Sequence, residues 1–200
     1  MKKRCEWGNQ SVLYQQYHDE EWGVPLHDDT RLFKFLILEG AQAGLTWETI
    51  LKKREGYREA FDQFDAEKIA KYSDDKIESL LQNPNIIRNR LKVKSAVLNA
   101  QLFLEVQKEY GSFDTYIWQF TGGKTIQNRF KKISQLPANT LKSDAMSKNL
   151  KKRGFKFIGT TICYAFMQAT GMVNDHVVSC FRYKEYAVGK SIIWDMLYFM

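Results

Sequence analysis

The 200 residues, 44% hydrophobic and 14% aromatic, are enough for one or two compact domains with a real core and argue against disorder. Three cysteines, Cys5, Cys163 and Cys180, offer no disulfide framework, and apolar runs such as FLIL are too short to cross a bilayer. Thirty Lys and Arg against 23 Asp and Glu give a net charge of +7, a mild pointer to a polyanionic partner that says nothing of the fold.

The first segment, MKKRCEWGNQSVLYQQYHDEEWG, has basic residues but no apolar stretch of signal-peptide length, so a cytoplasmic protein is expected. It is poor in helical pattern and rich in rings: Trp7, Tyr14, Tyr17 and Trp22 crowd beside Cys5 and His18. Asp28, Asp29 and Thr30 open a helix that carries Glu39 and stops at Gly44, just before Leu45 and Trp47. Glu39 shares the stripe of Leu32 and Leu36, so a carboxylate sits on a face meant for the core. Burying it bare is costly, and it needs either a structural partner or a polar spot inside an apolar cavity. Thr46, Asp65 and Ser73 open further helices, a long amphipathic run follows Pro84, and Ser112 opens another. TGGKTIQNRFKKISQLPANT reads as an irregular connector. Period-two alternation is scarce, so the expected fold class is all-α.

In SKNLKKRGFKFIGTTICYAFMQATG a helix ends at Gly154, a short turn FKFI follows, and a new helix starts after Gly159, giving a helix, hairpin, helix pattern. Glycines let a backbone approach another surface, and N–H groups at the second helix start can accept a phosphate. Lys148, Lys151, Lys152, Arg153 and Lys156 surround the turn and would attract a nucleic-acid backbone, although a solvated basic helix with an ordinary Gly stop reads equally well. In VNDHVVSCF, His176 and Cys180 are four apart and share a face if the segment is helical, with Asp175 as that helix's cap. Joined with Cys5 and His18 they make a Cys2His2 set that suits a closed, structural zinc fastening the N-terminal segment to the last helix. Each pair alone is weak, because a lone His or Cys is usually packed or solvated. Cys163, inside TICYAFM, reads as a buried small hydrophobe, and His27 has no role.

The blocks CEWGNQSVLYQQYHDEEWGVPLHDD, LEGAQAGLTWETILKKREGYREAF, IIRNRLKVKSAVLNA and SDAMSKNLKKRGFKFIGTTICYAFMQATGMVNDHV, with Cys180 after them, resemble the 3-methyladenine DNA glycosylase I family of bacterial repair enzymes over residues 4–183. The resemblance implies an all-α helix-hairpin-helix DNA glycosylase-like fold for residues 1–185, in two helical lobes with a lesion pocket between them. It implies one zinc per chain, held by Cys5, His18, His176 and Cys180. It implies Tyr17 and Glu39 as hydrogen-bonding groups, Glu39 being the residue expected to carry lesion selection and catalysis, with Trp47 as stacking platform and Trp7, Tyr14 and Trp22 around them. Gly44 and Leu45 match a loop that fills the gap left by an extruded base, Leu45 as the wedge, while Gly154, Gly159, Lys152, Arg153 and Lys156 match the DNA-facing hairpin.

The activity so implied is release of 3-methyladenine from alkylated double-stranded DNA by a monomer, leaving an abasic site and the free base, without strand cutting. The residue types fit it. N3-methylation makes the attached purine a cation, which electron-rich rings attract by roughly 1–2 kcal/mol when desolvated, and which leaves as a neutral base without a general acid. Asn174 stands where superfamily relatives carry an Asp, which argues against an Asp nucleophile. Two rival readings are a non-catalytic zinc-stabilised DNA-binding module and a glycosylase preferring another alkylated purine. Catalytic zinc hydrolysis is disfavoured because four protein ligands leave no open position. Residues 186–200, YAVGKSIIWDMLYFM, match no block and form an extension of unknown role that could pack on the body or meet a second copy.

Overall fold

The computed structural model describes residues 2–185; the 186–200 extension lies outside the described residues. Helices dominate: α1 (Val12–Glu20), α2 (Asp29–Gln42), α3 (Trp47–Ala60), α4 (Ala66–Ile69), α5 (Asp74–Gln82), α6 (Arg90–Tyr110), α7 (Phe113–Trp118), α8 (Leu141–Lys152), α9 (Thr160–Ala169) and α10 (Phe181–Glu185). The expected starts are real caps. Asp28, Thr46, Asp65, Ser73 and Ser112 each accept a hydrogen bond from a first-turn backbone N–H, satisfying a donor that the helix cannot.

Helix α2 is the spine. Leu32, Phe33, Phe35, Leu36, Ile37 and Leu38 are all buried, so this helix is apolar nearly all round, which requires neighbours on every side. It packs against α3, α6, α7 and α9. The other landmark is the hairpin between α8 and α9. Gly154 ends α8 at φ +99°, Phe155 and Ile158 turn inward, and Ser147 Oγ donates to Ile158 O at 2.7 Å, folding the loop back along α8.

Four expectations change. Residues 12–20 are helical although their pattern is weak, because Ser11 caps the segment and its buried face is Tyr17 and His18 rather than aliphatic. The run after Pro84 becomes helix only at Arg90, where the Asn89 side chain accepts from Lys92 N. The connector is not wholly irregular: Ile126–Gln127 (β1) pairs in parallel with Val173–Asn174 (β2), and Ile133–Gln135 forms a 3-10 turn. Residues 175–180 form turns, not a helix, and α10 begins only at Phe181. Asp175 therefore caps nothing; it is fully buried and accepts from Tyr164 Oη, Gln168 Nε2 and Asn128 Nδ2 at 2.6, 2.7 and 2.7 Å.

Candidate functional site

Cys5, His18, His176 and Cys180 come together as expected, all buried, with their ligand atoms within 4.8 Å of one another. Cys180 Sγ lies 3.4 Å from His18 Nε2 and 3.5 Å from His176 Nδ1, and Cys5 Sγ lies 3.6 Å from His176 Nδ1. Ligand bonds of about 2.3 Å to sulfur and 2.0–2.1 Å to nitrogen, at a tetrahedral angle, place S and N roughly 3.6 Å apart. The donor set fits a metal. The outer nitrogens are also committed, His18 Nδ1 to Asp19 Oδ1 at 2.8 Å and His176 Nε2 to Trp22 O at 3.1 Å, which fixes the tautomers that aim the other nitrogens inward. Asp19 is held in turn by a two-pronged Arg4 contact. The Cys180 thiol, beside Cys5, His176 and His18, is held well below its ordinary value by these neighbours. The i, i+4 spacing works here through a turn, Cys180 N donating to Val177 O. Sequence reading did not find Asp19 or Gly23; the latter has φ +80°, and a Cβ there would stand 3.0 Å from His176 Nε2.

Directly above the cluster lies a chamber of about 290 Å³ lined by Trp7, Tyr14, Tyr17, Trp22, Glu39 and Trp47, the six side chains expected to share a pocket, and also by Gln42, Leu136, Ala165 and Gln168. A single purine suits that volume, near the lower end of the range of about 300–1,000 Å³ for small-molecule sites. Trp7 meets Trp22 edge to face at 5.0 Å and Tyr14 at 5.8 Å, and Tyr17 lies 5.3 Å from Trp47, so the rings brace one another. Tyr14 Oη accepts from Glu48 N at 3.2 Å, tying α1 to the first turn of α3.

Two polar groups in the chamber are unspent. Glu39, 4% exposed, and Tyr17, 3% exposed, make no hydrogen bond or ion pair with any described residue. Of the two readings open for Glu39, the polar spot in an apolar cavity is the one observed. Burial lifts its carboxyl from 4.5 to about 8, and burial followed by the nearby Glu39 raises the Tyr17 phenol well above its usual value. Burial thus favours the neutral carboxylic acid at this position. The indole N–H of Trp47 is a third group, buried without a partner. Such groups await a ligand or weaken the fold.

The residues expected to face DNA lie on two elements held by α6. Gly44 has φ +77° with nothing within 4 Å of a Cβ, and Leu45 beside it is 40% exposed. Lys92 Nζ donates to Ala41 O and Ala43 O at 2.8 and 2.7 Å, closing the end of α2 that carries this loop. In the hairpin, Asn99 binds both backbone groups of Lys156 and Phe157 takes φ +53°, a strained value for a non-glycine residue. Gly159 has an ordinary φ of −58° and open space around it, so nothing inside the fold asks for glycine there. Lys152 and Lys156 are exposed. Arg153 is not free for DNA: it pairs with Glu109 at 2.7 Å and stacks over Tyr110 and Tyr116. Asn174 is structural, donating to Gln127 Oε1 and Tyr183 O. Cys163 is buried as expected, and His27 stacks on Trp118 and pairs with Asp114. No helix among the described residues is long and apolar enough to cross a membrane.

Residues 7–183 match the methyladenine glycosylase family. The DNA-3-methyladenine glycosylase 1 of Escherichia coli strain K12 is 49% identical over 181 residues, 90% of this chain and 97% of that protein. A crystal structure of 3-methyladenine DNA glycosylase I, 49% identical, superposes with a TM-score of 0.87 over 90% of this chain and 98% of its own. A variant of 3-methyladenine DNA glycosylase I in complex with 3-methyladenine, 38% identical, does so with 0.86 over 88% and 95%.

Proposed function

The chain belongs to the methyladenine glycosylase family, and we propose that it draws an N3-methylated adenine nucleotide out of duplex DNA into the ring-lined chamber and cleaves its N-glycosidic bond, releasing the free base and leaving an abasic site. The observation that carries this reading is a purine-sized chamber in which Glu39 and Tyr17 are buried with no protein partner. Extrusion costs least for a damaged, poorly paired base. Once inside, the cationic purine meets the faces of Trp47 and the neighbouring rings, and its charge favours the ionised form of Glu39. The carboxylate then accepts hydrogen bonds from the base while the Tyr17 hydroxyl addresses a ring position. Normal adenine is neutral, gains little from the rings, and leaves Glu39 protonated. Selection is thus built on charge rather than on shape alone.

The same charge carries the chemistry. The cationic base departs with the bonding electron pair as a neutral molecule, so no side chain has to protonate it. The electron-poor sugar that remains is captured by water, with the adjacent DNA phosphate offsetting developing positive charge. No described Asp faces the chamber, Asp175 being spent on three internal hydrogen bonds, and no Lys lines it. Base release without strand cleavage follows. Leu45 occupies the gap in the stack, and the hairpin with Gly154, Gly159, Lys152 and Lys156 grips the backbone. Cys5, His18, His176 and Cys180 would hold a structural zinc, which would add binding free energy to folding and supply no Lewis acid to the reaction. The working unit is residues 1–185 as a monomer in the cytoplasm, its two helical lobes facing each other across the chamber. Incubation with methylated duplex DNA and chromatography of released bases tests the reading: free 3-methyladenine with intact strands is expected, and alkali-independent nicking or no release overturns it.

A further inference from the structure

The cations of this chain are unevenly spread. Residues 121–156 hold ten Lys and Arg against one acid, Asp144, so this stretch alone carries +9 where the whole chain carries +7. The hairpin accounts for part of it. Arg129, Lys131, Lys132 and Lys142 do not belong to the hairpin, are exposed, and make no ion pair among the described residues, unlike Arg4, Arg54, Arg58, Arg90 and Arg153, which all do.

The connector bears Arg129, Lys131 and Lys132 and leads into the first turn of α8, which bears Lys142; both stretches are tied to functional elements. At one end Leu136 lines the chamber beside Ala165 and Gln168 of α9. Immediately before it, Gln135 Oε1 accepts from the backbone N–H groups of Lys131 and Lys132 at 2.7 and 3.1 Å, fixing the corner on which both lysines stand. Phe130 O accepts from Val178 N at 2.8 Å, holding the same corner to the metal segment. At the other end Thr140 and Ser143 cap α8 reciprocally, and Ser143 Oγ lies 3.3 Å from Thr160 Oγ1 at the start of α9. Lys142, exposed, is the chain neighbour of Ser143 and so stands on the turn of α8 that meets the start of α9. Asp144, the one acid, is half-buried and accepts hydrogen bonds from Thr160 and Asn139 at the same oxygen.

We propose that Lys131 and Lys132 of the connector, with Lys142 in the first turn of α8, form a second phosphate track for duplex DNA, running from the start of α8 to the mouth of the chamber and guiding the strand whose nucleotide is extruded. A duplex phosphate backbone is the one occupant committed to here, because a row of unpaired ammonium groups on a fixed corner fits a linear polyanion at little ordering cost. The track rests on the DNA-glycosylase reading, yet it is tested by a separate quantity.

Binding of full-length protein to an undamaged fluorescent duplex, measured by anisotropy over a series of NaCl concentrations, gives the slope of log K against log salt. Each lost phosphate contact lowers its magnitude by about 0.9. Lys131→Gln/Lys132→Gln is expected to lower it by about 2 and Lys142→Gln by about 1, while Lys71→Gln/Lys76→Gln, on the α4 and α5 side, leaves it unchanged. Tryptophan-fluorescence titration with free 3-methyladenine is expected to match wild type in all three variants, which shows the chamber intact. Slopes of the connector variants equal to that of the control pair overturn the track. Absence of base release from the wild-type protein sinks the glycosylase reading instead, and leaves the slope comparison to decide the track.

Discussion

Asn99 and Lys156 exchange two hydrogen bonds: Asn99 Nδ2 donates to Lys156 O at 3.0 Å, and Lys156 N donates to Asn99 Oδ1 at 2.9 Å. Seven residues earlier on the same face of α6, Lys92 closes the end of α2. One helix thus sets the distance between the hairpin and the Leu45 loop. Asn99→Ala leaves both Lys156 backbone groups bare and is expected to cost about 1–3 kcal/mol of stability. Excision from duplex DNA should fall roughly tenfold while affinity for free 3-methyladenine stays at the wild-type value. Equal losses in both assays would show general unfolding instead.

Glu39 makes stability depend on pH in an unusual direction. The native state keeps a proton that the unfolded chain sheds between 4.5 and about 8, so its contribution is intact below that window and declines as pH rises through it. Glu39→Gln is expected to unfold at the wild-type midpoint near pH 4 and at a higher temperature above pH 8, a gain on the order of a few kcal/mol. A constant difference between the two proteins across that range would contradict a buried, neutral Glu39.

The same substitution should reduce excision by about two orders of magnitude, roughly 2.7 kcal/mol. In the wild type, kcat/KM should rise with pH toward about 8 as Glu39 ionises, with the inflection at lower pH in kcat, because a bound cation favours the carboxylate. A Glu39→Gln profile with the same inflection would assign the titration to another group.

Elemental analysis of purified protein should give one zinc per chain. Stripping the metal, or Cys180→Ser, should lower the thermal midpoint by on the order of 10 °C. Protein that remains folded should keep its excision rate at saturating DNA. A midpoint indifferent to chelation and to the substitution would remove the metal from the account.

Leu45→Gly shortens the wedge without touching the chamber. Excision from duplex DNA should drop about tenfold or more, and excision from a single-stranded methylated oligonucleotide far less, since no stack has to be opened there. Comparable losses on both substrates would reject the wedge.

Much of this arrangement was legible in the sequence, and the reasons for the gaps are physical. Caps such as Asp28, Thr46 and Ser112 are local chemistry, so they could be read directly. The helix at 12–20 was hidden because its buried face consists of a ring and a metal ligand candidate, which score as polar. The Glu39 stripe pointed to an apolar cavity, but its protonation depends on burial by elements far away in the chain. Asp19, Asn99, Lys92 and Gln168 had no periodic or motif signal at all: each matters through specific hydrogen bonds that only the folded chain brings together. The turn at 175–180 was mistaken for helix because i, i+4 spacing also suits a tight turn.

The joining of Cys5 and His18 to His176 and Cys180 has an implication for how the molecule is made. Four rings of the chamber, Trp7, Tyr14, Tyr17 and Trp22, precede Cys180 by more than 150 residues, and the clasp beside them cannot shut before Cys180 has been translated. Closing so distant a pair is entropically slow and late. Until His176 and Cys180 have been made, the aromatic wall of a nascent chain lacks the clasp that fastens it to the rest of the fold.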